Sequence, residues 1–406
     1  MPAASASRAP RSMRRRSPPH ILTLVAMAAL PALTMNIILP SLPRMAQHFG
    51  VDYALMQLAV SLLLLTNAVV QVVIGPVADR YGRRPVMLVA MAIFLLATAG
   101  TLIAPTAEVF LAMRMLQAIS ATGMVLARAV VRDMYPAAQA ASMIGYVTMG
   151  MSIAPMLAPT IGGVLDEAFG WRATLWFLLL IGAAIAILIW IDLGETAAPT
   201  TGSLGEQLRR YPELLRSRAF WNYSLAGMLT SGSFFAYLGG APFVASELHH
   251  LTPRQVGLGF AAPAIGYAIG NFLAGRYSTR LGLDPMILIG TLFIGSSLGL
   301  LILLELAGYT GAAGFFLVMA VVGLGNGMVL PNANAGMLSV RPELAGSASG
   351  LGGAIILAGG AAFATLASAA LHPGGTAMPL LVIMLVPQLL ALLVCRDLRR
   401  MARRRA

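Results

Sequence analysis

The chain has no lysine, a single cysteine and few charges of either sign. Charged residues fill 10% of its 406 positions, where a soluble protein carries about 25%. One cysteine, Cys395, excludes an intramolecular disulfide and any cysteine-based metal cluster. With so few charges, 58% apolar residues and a mean hydropathy of +0.81, polar side chains are too scarce to cover a soluble globule. The same composition excludes disordered, collagen-like and disulfide-scaffold classes. All 27 basic residues are arginine, against 15 acidic ones, for a net charge of +12. So basic a balance fits either nucleic acid or one face of a membrane, and the positions of the arginines decide between them.

A helix needs about 20 apolar residues to cross a hydrocarbon core of about 30 Å. Twelve stretches meet that length. The first six are 20–42, 54–76, 85–105, 108–130, 139–165 and 171–192; the second six are 219–246, 255–276, 285–306, 311–338, 344–371 and 376–395. The expected fold is therefore an all-α integral membrane protein of twelve transmembrane helices. Residues 1–19, with Arg8, Arg11, Arg14, Arg15 and Arg16, precede an apolar run that is too long for a signal-peptide core and lacks a small-residue cleavage site. They are expected to form a disordered basic tail, as are residues 396–406. Twelve crossings put 22 arginines (those of the two tails and of the 2–3, 4–5, 6–7, 8–9 and 10–11 loops) on one side. Only Arg44, Arg172 and Arg254 lie on the other. The positive-inside rule then predicts that both termini are cytoplasmic, and nucleic acid drops out as a partner.

The longest loop, 193–218, sits at the midpoint and reads as a cytoplasmic linker between six-helix bundles at 20–192 and 219–395. Gly75-Pro-Val-Ala-Asp-Arg-Tyr-Gly-Arg-Arg-Pro85 follows span 2; Gly275-Arg-Tyr-Ser-Thr-Arg-Leu-Gly-Leu-Asp-Pro285 follows span 8. The tetrapeptide Gly123-Met-Val-Leu126 returns as Gly327-Met-Val-Leu330 at nearly the same offset. Parallel repeats of this kind belong to transporters that rock two bundles about a midplane site.

In the 2–3 loop, Gly75, Asp79, Arg80, Gly82, Arg83 and Arg84 fall within ten residues. A carboxylate beside three guanidiniums can build a charge-assisted network, and the glycines permit close approach and a tight turn. That pattern predicts a latch between the bundles on the cytoplasmic side; the plainer reading is ordinary positive-inside charge. In span 5, Pro155 and Pro159 remove backbone donors, while Gly150, Gly162 and Gly163 allow close packing against span 8, which predicts a kinked gate. Arg114 lies about 9 Å into span 4. A charge at that depth marks a pathway, a partner or a counter-ion unless it snorkels to the headgroups. Arg128, nearer the cytoplasmic end, reads as an interfacial anchor. The neutral polar residues Asn36, Gln57, Ser61, Asn67, Gln117, Asn271, Asn326, Asn332 and Asn334, with Phe234 and Tyr237, complete the candidate cavity. For any one of them, a helix–helix hydrogen bond is the competing reading.

The 2–3 loop resembles the Gly-x-Leu-Ala-Asp-Arg-x-Gly-Arg-Lys/Arg motif of the major facilitator superfamily, with Val77 in place of Leu. Arg114-Met-Leu-Gln117-Ala118 is similar to that superfamily's Arg-x-x-Gln-Gly motif. Gly150-Met-Ser-Ile-Ala154-Pro155-Met-Leu-Ala158-Pro159-Thr-Ile-Gly162-Gly163 resembles the motif of its drug–proton antiporters. Leu39-Pro40-Ser-Leu-Pro43 and Arg132-Asp133-Met-Tyr135 resemble the bicyclomycin/chloramphenicol-resistance branch. The resemblance implies a monomeric inner-membrane exporter of small amphipathic molecules, with no cofactor or metal and a proton gradient as its energy source. It also implies that Arg114 takes part in coupling. Ala118 and Ala158 stand where these motifs usually carry Gly, and the departure that bears on coupling is in span 1: where the branch usually carries an Asp, this chain has Asn36, which cannot titrate. No other carboxylate is expected in the cavity, so uncoupled facilitation or uptake is the alternative. A membrane enzyme is disfavoured, because His20, His48, His249, His250 and His372 all fall at helix ends or in loops.

Overall fold

The computed structural model describes residues 19–135, 143, 147, 154–196, 211–309, 311–341 and 344–403. Gly150 of the span 5 motif and most of the central linker lie outside the described residues. In the first half of the chain the helices are α1 (Ile21–Asn36), α2 (Leu42–Phe49), α3 (Tyr53–Tyr81), α4 (Arg83–Leu102), α5 (Ala107–Gln117), α6 (Ala121–Met134), α7 (Ala154–Phe169) and α8 (Arg172–Asp192). The second half has α9 (Tyr211–Leu215), α10 (Arg218–Phe243), α11 (Pro253–Gly259), α12 (Ala261–Leu281), α13 (Leu283–Leu306), α14 (Ala312–Val340), α15 (Ala345–Ala369) and α16 (Met378–Arg403).

Ten of the described helical stretches are long and apolar enough to cross a membrane. Two predicted spans fall short for different reasons. The described part of span 5 is α7, only 16 residues long. Helix α10 has the length, but Asn222, Ser224, Thr230, Ser231, Ser233 and its glycines hold its hydropathy down. Twenty of its 26 residues are buried against protein rather than facing outward. Large apolar side chains such as Leu96, Leu180, Leu300 and Leu317 stand exposed on other helices, as a lipid-facing surface requires. The last helix also runs on to Arg403, through most of the stretch expected to be a tail.

Spans 1 and 4 are broken. A 3-10 turn at Leu39–Ser41 joins α1 to α2, and another at Ala118–Ser120 joins α5 to α6. The repeated loop is visible in the backbone: Gly82 (φ 95°) and Gly282 (φ 87°) occupy the same left-handed conformation, which glycine adopts without a Cβ penalty. Gly123 and Gly327 are less alike. A Cβ on Gly123 would overlap the Met27 carbonyl of α1, whereas one on Gly327 would overlap the Tyr267 carbonyl of span 8.

The two halves of the chain meet unevenly. At the end that carries Arg44, Tyr53 Oη donates to Gly239 O (2.7 Å), Thr160 Oγ1 to Gly257 O (3.0 Å) and Arg254 N to Glu167 Oε2 (3.3 Å). There α7 packs on α11, and α3 packs on α15. One hydrophobic core spans both halves, joining Ile37, Leu42 and Val60 to Phe243, Val256 and Ala364. At the end that carries Arg83, Gly75, Gly275 and Gly350 face open space. The packing between the halves is not confined to the Arg44 end, since α3 and α15 still face each other at Gln71 and Gly353.

Candidate functional site

Arg114 occupies the last turn of α5, a helix whose start is capped by the Thr106 hydroxyl accepting from Val109 N (3.4 Å). Its side chain is fully buried, so it does not snorkel to an interface. Nη1 donates to Gln117 Oε1 (2.6 Å), Nη2 to Thr34 O (3.1 Å) and Nε to Ala59 O (3.4 Å). All three acceptors are neutral, and among the described residues Arg114 forms no ion pair. Gln117 Nε2 in turn donates to Thr98 Oγ1 (2.8 Å), whose own hydroxyl donates to Phe94 O (2.7 Å). Thr98 must therefore accept from the amide nitrogen, which turns the amide oxygen toward the guanidinium. Thr34 and Thr98 were not among the sequence candidates. A threonine in an apolar helix usually bonds its own backbone, and nothing in the sequence distinguishes the one that orients a neighbour.

The other candidates divide by how their polar atoms are used. Asn36, Asn271, Asn326 and Asn332 each donate to the carbonyl four residues earlier, at 2.7, 3.0, 3.1 and 2.7 Å. Asn36 thus spends its amide on α1 itself, and Asn334 is exposed. Gln57 Oε1 accepts from Ser61 (3.2 Å), while its buried Nε2 has no partner and lies beside Gly239, across the seam. Asn67 Oδ1, Tyr237 Oη and Asn326 Oδ1 are likewise buried without a partner. Tyr237 sits among Phe260 (5.0 Å), Phe315 (6.0 Å) and Phe234 (6.2 Å). Gln388 on α16, missed in the sequence, adds another unpartnered oxygen, with its nitrogen held by Ser233 Oγ at 2.7 Å. Its signal was a lone amide following Pro387 in an apolar run. Of these groups only Gln117 bonds Arg114; the others are spread over both halves.

The 2–3 motif builds a different network from the expected inter-bundle latch. Arg83, buried, pairs with Asp79 (2.5 Å) and Asp133 (3.1 Å). Glu195 accepts from Arg83 N (2.9 Å) and Arg84 N (3.3 Å), satisfying the first free donors of α4. Arg84 Nη2 donates to Trp190 O (2.9 Å), with its guanidinium over that indole, and Arg80 lies over Tyr81. Each of these partners belongs to the first half.

In α7, Pro159 is buried and Pro155 half-buried. The adjacent glycines serve different neighbours: a Cβ on Gly163 would overlap the Pro253 carbonyl of α11, but one on Gly162 would overlap the Ile37 carbonyl beside α1. Of the two described glycines, Gly163 packs against span 8 as expected and Gly162 does not. The helix also runs past the predicted end at 165, which buries Asp166 completely. That carboxylate, one residue beyond the predicted span, was missed. Asp166 Oδ1 accepts from Arg44 Nη1 (3.1 Å), and Oδ2 has no partner.

The sequence profile of the Major Facilitator Superfamily matches residues 24–365, with a second, overlapping match at 223–401. The chain is 30% identical over 362 residues to multidrug resistance protein D of Escherichia coli, covering 87% of this chain and 90% of that one. It is 28% identical to a chloramphenicol resistance protein of Pseudomonas aeruginosa, covering 83% and 81%. A further relative, the transporter YdgK of Bacillus subtilis, is 30% identical over 62% of this chain, which spans 64% of its length. Among solved structures, a bacterial homologue of the human lysosomal transporter Spinster, in an inward-facing and occupied conformation, superposes with a TM-score of 0.73. The match covers 94% of this chain and 96% of that one at 16% identity, and so speaks to the fold.

Proposed function

Because the chain belongs to the Major Facilitator Superfamily, we propose that it exports small amphipathic molecules of the chloramphenicol class across the bacterial inner membrane by alternating access. In this reading twelve helices cross the bilayer, both termini are cytoplasmic and the two halves rock about the seam. The observation that supports it is the packing of the two halves against each other at the Arg44 end, with buried unpartnered hydrogen-bonders in both halves. The names of the relatives support drug export, and the fold points to transport rather than catalysis.

Proton drive is the natural energy source for such an exporter. A second reading, facilitation without proton coupling, rests on Asn36, which holds a helix carbonyl and cannot exchange a proton. One assay separates the two. Chloramphenicol accumulation is measured in cells with and without the protein, before and after the proton gradient is collapsed. Export lowers accumulation several-fold, and proton coupling makes that difference vanish on collapse. Unchanged accumulation across a broad compound panel rejects export; efflux that survives collapse rejects proton antiport.

A further inference from the structure

The last helix changes character along one side. Val386, Leu389 and Leu393 of α16 stand exposed, and Arg396 and Arg400, also exposed, continue their three- and four-residue spacing. At 3.6 residues per turn these five positions share one side of the helix, with exposed Arg399 beside the last two. The opposite side is buried: Cys395 and Leu398 join Ala226 of α10, Ile287 of α13 and Val329 of α14 in one core. Asp397 lies between the two sides and accepts from Arg218 Nε (2.9 Å) and Asn222 Nδ2 (2.7 Å), both in the first turns of α10. Its hydrogen bonds are thus spent on another helix. The guanidiniums of Arg396, Arg399 and Arg400 form no ion pair or hydrogen bond among the described residues. Like charges three and four residues apart repel, yet the helix continues past them to Arg403.

We propose that this stretch of α16 is a binding site for the headgroup of an anionic phospholipid of the phosphatidylglycerol type. The observation that carries the proposal is the shared stripe. Acyl chains pack along Val386, Leu389 and Leu393, as they do on the lipid-facing side of a spanning helix. Arg396 lies about 4.5 Å beyond Leu393 along the helix axis and Arg400 about 10 Å, which is the depth range of the headgroups. A guanidinium offers two parallel donors to the two free oxygens of a phosphodiester, and an anion set among three guanidiniums offsets their repulsion. An acidic protein or a nucleic acid supplies the charge without the chains. A zwitterionic lipid supplies the chains with no net charge. Asp397 gives the site its aim: it holds α16 against α10 and leaves the arginines unmatched at the bilayer surface.

The inference uses only the placement of α16 in a bilayer, so a failed export assay does not bear on it. Its test is native mass spectrometry of the full chain in a neutral detergent, titrated with dioleoylphosphatidylglycerol or dioleoylphosphatidylcholine. The first phosphatidylglycerol is expected to bind about tenfold more tightly than the first phosphatidylcholine. Arg396→Gln, Arg399→Gln and Arg400→Gln together should weaken phosphatidylglycerol binding by about tenfold and leave phosphatidylcholine binding unchanged. All three positions are exposed, so the fold is not at stake. A second triple variant, Arg216→Gln, Arg276→Gln and Arg280→Gln, removes as much charge from exposed positions at the same end. It should weaken binding by less than about threefold, because those arginines do not continue the stripe. Ammonium phosphate exchanged for ammonium acetate at equal ionic strength should leave the lipid occupancy unchanged. Equal affinity for the two lipids, or equal losses in the two triple variants, overturns the proposal. So does displacement of the lipid by phosphate, which would make this a site for the free ion.

Discussion

A guanidinium inside a membrane protein is costly, and Arg114 is held there by three neutral oxygens and no counter-ion. Each such bond contributes about 0.6–1.7 kcal/mol in a membrane interior, so the three together offset only part of the desolvation. The uncompensated charge therefore reads as kept for what it attracts. Its aim depends on Gln117, and the aim of Gln117 depends on Thr98. We expect Arg114→Ala to abolish export while the protein still reaches the membrane. Thr98→Val should lower export about three- to tenfold, with recovery in Thr98→Ser, because serine keeps the acceptor that turns the amide; the effect corresponds to one lost bond of about 1 kcal/mol. Efflux rates normalised to protein abundance check both. Normal transport by Arg114→Ala would make the residue a packing cation only.

At the scale of elements, two neighbouring glycines separate folding from gating. Gly162 touches the backbone beside α1 within its own half, whereas Gly163 touches α11 of the other half. A methyl group at either site meets backbone, which cannot swing aside, and overpacking of this kind costs about 1–3 kcal/mol. Gly162→Ala is therefore expected to lower the melting temperature by several degrees. Gly163→Ala should leave it nearly unchanged and instead raise thiol labelling of a cysteine at Ala245, which is buried at the Arg44 end, about five- to a hundredfold. Equal melting shifts in the two variants would contradict the assignment. The sequence showed the glycines and prolines of this helix plainly, and the left-handed turn at Gly82 was legible because few other residues adopt φ 95°. It did not show which neighbour each glycine serves. That choice is made by helices more than a hundred residues away, as Gly162 and Ile37 illustrate. Asp166 escaped for the same reason: its burial follows from what packs over the last turn of α7, and periodicity within the helix carries no trace of it. Helix α10 is the opposite case: it coincides with the predicted span 219–246, yet a span enclosed by other helices can be built from Ser, Thr and Gly and fail a hydropathy test.

Across the whole molecule the scarcity of charge becomes an arrangement of it. Apart from Arg114 and Arg128, the described arginines lie toward helix ends or in loops. Those at the Arg83 end are held in part by Asp79, Asp133 and Glu195, and the Arg44 end carries few. An excess of arginine in short loops sets orientation because those loops resist translocation, so the Arg83 end should face the cytoplasm. The inference can be checked without any transport measurement, because the one native cysteine, Cys395, is buried and replaceable. Single cysteines at Tyr81, beside the arginine motif, and at Gln47 and Pro373, at the opposite end, are all on exposed positions. A membrane-impermeant maleimide added to intact cells with a permeabilised outer membrane should modify Gln47→Cys and Pro373→Cys and spare Tyr81→Cys. In inverted inner-membrane vesicles the pattern should reverse. Labelling of Tyr81→Cys from outside would turn the molecule over. The end that carries the Asp166–Arg44 pair would then face the cytoplasm.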